Sequence, residues 1–172
     1  KAAIPVLIKV LEDTTQEPMV RHEAAEALGA IGSPEVLDIL EKYSKDPVVE
    51  VAETCDLAIN RIKWLDKKEE SGNLPENPYN SVDPAPPTPI NNDYTALKNI
   101  LLDENAKLFD RYRAMFSLRN MRTKEAVYAL GEGLKCGSAL FRHEVAFVLG
   151  QLQDENSIKF LKESLEDCNE NE

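Results

Sequence analysis

Two residue pairs in this chain have the types and spacing to do chemistry: His22-Glu23 and His143-Glu144. They lie in matching frames, Arg21-His22-Glu23-x-Ala25-x-x-Leu28-Gly29 and Arg142-His143-Glu144-x-Ala146-x-x-Leu149-Gly150, and these are the only two histidines. Neutral imidazole beside a carboxylate oxygen is a ligand set for first-row transition metals. Consecutive helical residues point about 100° apart, so one pair can send both side chains to adjoining flanks of one face. A single pair supplies at most two or three ligand atoms, so pairs from separate repeats must converge for firm binding. Two facing pairs give two imidazoles and two carboxylates, and four pairs would double that. Such a mixed nitrogen and oxygen set suits two iron ions, or manganese, better than thiolate-loving zinc. Di-metal carboxylate–histidine sites in helical proteins commonly serve dioxygen chemistry.

A histidine on a repeat helix can also be purely structural, and the chain carries its own control. The corresponding positions on other helices hold Ala52-Glu53 and Tyr112-Arg113, so the repeat itself does not require the pair. Small residues surround both pairs: Ala24, Ala25, Ala27, Gly29 and Ala30 at the first, Ala146 and Gly150 at the second. They permit close helix approach, around a site or simply in tight stacking. Other catalytic patterns are absent: no HExxH, no GxSxG, no P-loop and no dinucleotide fingerprint. Cys55, Cys136 and Cys168 form no CxxC pair and read as reduced thiols with no structural zinc site, and a Cys–His nucleophile pair is disfavoured because neither histidine lies near a cysteine in sequence. Phe109, Tyr112 and Phe116, at helical spacing, read as core.

The elements that must position the pairs are helical repeats of about 30 to 33 residues. His22 to Ala52 is an offset of 30, and Tyr112 to His143 one of 31. Apolar periodicity predicts helices near 1–12, 19–31, 35–44 and 48–66, then near 93–102, 107–121, 123–135, 139–151 and 156–166. Paired antiparallel helices at this period predict an all-α fold, a HEAT-repeat α-solenoid. Between the two sets, Pro75, Pro78, Pro84, Pro86, Pro87 and Pro89 forbid continued helix. The expected organisation is an N-terminal half over 1–66, a proline-rich linker over 67–92, extended and largely polyproline II at 82–87, and a C-terminal half over 93–172.

The whole chain sets further bounds. Its 172 residues carry a net charge of −11. Such a surface is a poor partner for nucleic acid, which needs clustered Lys and Arg, and a good one for a basic partner. No apolar run approaches a membrane span, and the start has no signal-peptide pattern, so a cytoplasmic protein is expected. Leu161 to Asp167 repeats the pattern of Leu7 to Asp13 at an offset of 154, which puts the next His-Glu pairs at positions −11 and 176. The sequence is therefore expected to be a fragment with two further pairs outside it.

The segments Glu17 to Gly32, Ser81 to Pro87, Arg111 to Met115 and Cys136 to Glu144 closely resemble the deoxyhypusine hydroxylases. The resemblance covers essentially the whole chain, linker included. It implies a HEAT-repeat di-iron monooxygenase with four His-Glu motifs. Such an enzyme hydroxylates the deoxyhypusine side chain on the eukaryotic translation factor five-A with dioxygen, completing hypusine. By this resemblance His22 and Glu23 are the second motif and His143 and Glu144 the third. All four are then catalytic and metal-site residues, holding two Fe(2+) per full-length chain. Lacking the first and fourth motifs, the fragment alone is expected to be inactive. The competing expectations are a non-catalytic HEAT scaffold that grips a protein partner and a bilin-lyase-like repeat protein.

Overall fold

Helix follows helix along a computed structural model that describes residues 2–67, 77–89 and 93–170, with no strand among them. The helices are α1 (Ile4–Glu12), α2 (Pro18–Ile31), α3 (Leu37–Tyr43), α4 (Val49–Asp66), α5 (Tyr94–Leu102), α6 (Leu108–Met121), α7 (Lys124–Gly133), α8 (Ala139–Leu152) and α9 (Ile158–Glu166). Each falls where apolar periodicity places it. The one systematic difference is at α3 and α9, which are preceded by 3-10 turns at Pro34–Val36 and Glu155–Ser157. There the backbone first closes i to i+3, Val36 N–H onto Ser33 O at 3.3 Å and Ser157 N–H onto Asp154 O at 3.0 Å, before the α-helix propagates.

Local signals explain the boundaries. Pro18 opens α2, where a missing N–H costs nothing. Gly32, at φ 70°, closes it in the left-handed region that glycine enters without strain. In the later part of the chain, side chains cap three of the helix starts, those of α5, α7 and α8. Asp93 accepts from the Thr95 and Ala96 N–H groups, Thr123 from Ala126, and Ser138 from Phe141.

The described residues divide into two compact units. The first comprises 2–67 with 82–86. Here α1 packs on α2, and α4 packs on both α2 and α3. Leu11, Leu28, Val36, Leu40, Val51, Cys55 and Ile62 fill the core. The α2–α4 contact is close because Gly29 faces Ala58: a Cβ added at Gly29 would lie 2.8 Å from the Ala58 Cβ. Arg61 of α4 donates to Gly29 O at 2.8 Å and to Asp83 O at 3.1 Å, fastening the 82–86 segment.

The second unit comprises 77–81, 87–89 and 93–170. Helices α5, α6 and α7 pack mutually, α8 lies on α6 and α7, and α9 on α7. Tyr112 and Phe116 are buried in its core, as their spacing predicts, while Phe109 is half-buried. Arg119, fully buried, stacks on Phe116 and Tyr79 and donates to Gln151 at 2.9 Å and Asn77 at 3.2 Å. Thr88 N–H donates to Ser117 Oγ at 2.8 Å. No helix forms in 77–89, as the prolines require.

The two units share one internal device. In the first, Arg21 Nε donates to Leu11 O at 2.9 Å; in the second, Arg111 Nε donates to Leu101 O at 3.0 Å. Both arginines stand in the first turn of the second helix of their unit's first hairpin, and both grip the last turn of the helix before it. Helix α6 is thus the structural counterpart of α2, and Tyr112 occupies the position of His22.

Candidate metal centre

Helix α2 presents His22 and Glu23 on adjoining flanks, one turn before Glu26. His22 is buried, 4% exposed, beneath α4. Its Nδ1 lies 2.8 Å from Thr54 Oγ1, and the Thr54 hydroxyl donates to Glu50 O at 2.7 Å. Its Nε2 lies 3.7 Å from Glu23 Oε1. Glu23 is exposed and Glu26 half-buried, and one ligand atom from each of the three residues falls within 4.8 Å of the others. Among the described residues these form the one such group of three potential ligands.

The donor set fits a first-row divalent ion: one imidazole nitrogen and two carboxylates, with no thiolate. Electrostatics point the same way. Burial pushes the Glu26 carboxyl above its ordinary value, and the neighbouring Glu23 charge adds to the push. Two crowded carboxylates facing an imidazole are a place where a bound cation relieves repulsion. Behind the set, Arg21 pairs with Asp46 at 2.6 Å, both side chains only 4% exposed. The hydrogen bond from Arg21 holds the Asp46 carboxyl below its ordinary value, helped by the Val48 N–H. This buried pair fixes the first turn of α2 next to His22.

His143 and Glu144 belong to the second unit, on α8. His143 is exposed and Glu144 half-buried. Arg142 holds the start of the helix, donating to Glu170 at 2.9 Å and to Gly137 O at 2.7 Å. Val145, Val148 and Leu149 turn inward, while Phe147 is 52% exposed and a Cβ at Gly150 would meet nothing within 4 Å.

Two participants escaped the sequence reading, Glu26 and Thr54. Glu26 was accessible to it in principle, because it lies four residues from His22 and so shares its helix face. Thr54 was not, because its link to His22 spans 32 residues across helices. Cys55, in contrast, is fully buried in the core, and burial pushes its thiol up to about 12, which disfavours the nucleophilic thiolate.

Stacked antiparallel helix pairs with recurring arginine and small-residue positions make this a HEAT-repeat α-solenoid protein. Family models agree, "HEAT repeats" matching residues 1–55 and "PBS lyase HEAT-like repeat" matching 110–136 and 141–167. More narrowly, the chain is similar to deoxyhypusine hydroxylases along its whole length. It is 65% identical over 170 residues to that of Drosophila melanogaster, covering 99% of this chain and 56% of the relative. To that of Homo sapiens it is 60% identical over 169 residues, covering 98% and 55%. The solved structure of human deoxyhypusine hydroxylase in complex with glycerol superposes with a TM-score of 0.92 at 60% identity, covering 99% of this chain and 58% of that one. The chain thus spans a little over half the length of the relatives it matches, and no described helix is long and apolar enough to cross a membrane.

Proposed function

We propose that the chain is part of a deoxyhypusine hydroxylase, a cytoplasmic di-iron monooxygenase acting on the deoxyhypusine side chain of translation factor five-A. The observation that carries this reading is the buried His22, set beside Glu23 and Glu26 on one helix, in a chain 59–65% identical to proteins of that name. His22, Glu23, His143 and Glu144 are the proposed ligands of two ferrous ions in the full-length protein. When bound, iron supplies the redox chemistry by which one oxygen atom of dioxygen enters an unactivated C–H bond and the other leaves as water, with two electrons drawn from a reductant.

The residues of this chain divide the remaining work. The imidazoles hold metal; the carboxylates hold metal or pair with the ammonium groups of the substrate. Glu26, with its partly buried charge, is placed to favour a cation next to His22. A net charge of −11 attracts a basic protein substrate and raises its on-rate at low salt. On this reading the 172-residue chain by itself, with two of the four motifs of the resembling family, binds iron weakly and is inactive.

Elemental analysis of the full-length protein tests this. Two irons per chain are expected, falling together with hydroxylation in His22→Ala and in His143→Ala. Iron content and activity unchanged in both variants would discard the enzyme reading and leave a HEAT scaffold.

A further inference from the structure

Thr54 stands on α4, one repeat beyond His22, with its hydroxyl between two groups. A hydroxyl has a single hydrogen to donate. That hydrogen goes to Glu50 O at 2.7 Å, four residues back on the same helix. Toward His22 Nδ1, 2.8 Å away, the same oxygen can therefore only accept. A neutral imidazole carries one N–H. Supplying it at Nδ1 leaves the lone pair on Nε2, the nitrogen that lies 3.7 Å from Glu23 Oε1.

We infer that Thr54 is a positioning residue: its hydroxyl, oriented by the Glu50 carbonyl, fixes His22 as the Nδ1–H tautomer and reserves Nε2 for metal. The reversed tautomer would leave Nδ1 and Oγ1 with no hydrogen between them unless the hydroxyl gave up its bond to the Glu50 carbonyl. Because His22 is buried, water has little access to supply the missing hydrogen. The tautomer claim stands on this geometry alone; its consequence for metal rests on the function proposed above.

The direct test is nitrogen-15 NMR of the imidazole in the 172-residue chain, at a pH high enough to keep it neutral. With two histidines in the chain, a His143→Asn variant leaves the His22 signals alone. The proton is expected on Nδ1 in that background and again after Thr54→Ser. Thr54→Val, similar in shape but with no acceptor, is expected to shift the population toward Nε2–H. In the full-length protein, Fe(2+) affinity should fall about 10- to 100-fold in Thr54→Val, the range for a lost outer-sphere partner, and return in Thr54→Ser. Nε2–H in the parent chain, or an Nδ1–H signal and an iron affinity both unmoved by Thr54→Val, overturns the inference. Should Thr54→Val fail to fold, the parent chain and Thr54→Ser still decide, since a Nε2–H signal in either rejects it. A full-length protein that takes up no iron defeats the proposed function and leaves the tautomer assignment standing. Iron uptake with Thr54→Val indifferent defeats this inference alone.

Discussion

Helices α2 and α8 carry the same nine-residue frame in different surroundings. On α2 the frame lies under α4: His22 is buried against Thr54, and Gly29 is pressed onto Ala58. On α8 the histidine is exposed, Phe147 is half-exposed, and Gly150 faces open space. The frame therefore encodes a face that a neighbouring helix can cover, and the cover itself comes from elsewhere in sequence. Once covered, the imidazole acquires a hydrogen-bond partner and a fixed orientation.

The sharpest way to break this contrast is through the arginine preceding each histidine. Arg21→Ala strands a buried Asp46 and is expected to cost about 3–5 kcal/mol in urea unfolding. Arg142→Ala, removing a pair with side chains 22% and 26% exposed, should cost about 1 kcal/mol. The pH dependence follows from Asp46. Its folded value lies below the ordinary 3.8, so the pair's contribution is complete above that value and is lost as pH falls through the lower folded one. An Arg21→Ala chain whose acid limb is as steep as the parent's would contradict this account.

Next in size are the glycines. In the 172-residue chain, Gly29→Val overpacks the Ala58 contact and should cost about 1–3 kcal/mol, whereas Gly150→Ala meets nothing and should stabilise α8 by up to about 1 kcal/mol. Equal effects at the two sites in thermal unfolding would erase the distinction between the frames. Smallest is a cap. Three helices of the second unit, α5, α7 and α8, start on the capping side chains Asp93, Thr123 and Ser138, while α6 and α9 there and α1, α2, α3 and α4 of the first unit lack side-chain caps. Asp93→Ala should lower stability by about 1 kcal/mol, read from the urea midpoint.

Most of the fold was legible in the residues because helix period, prolines and caps act locally. Each α-helix falls within a few residues of its expected place, with short 3-10 turns as the chief departure. The site was legible only as far as one helix extends. His22 and Glu23 announced themselves by repetition; Glu26, on the same face, needed only a turn's arithmetic. Thr54 gave no sign, since a threonine inside a helix usually bonds back to its own backbone, and this one does so as well. What makes it different is the imidazole above it, set there by the packing of α2 on α4.

The arginine clasps at Leu11 and Leu101 have a bearing on how such proteins diversify. Each clasp settles the geometry of its hairpin one residue before the position that holds His22 in one unit and Tyr112 in the other. The same clasp is compatible with a metal-binding type of side chain at that neighbour in one unit and an aromatic one in the other. One clasp thus serves a hairpin that buries an imidazole and another that buries a phenol ring.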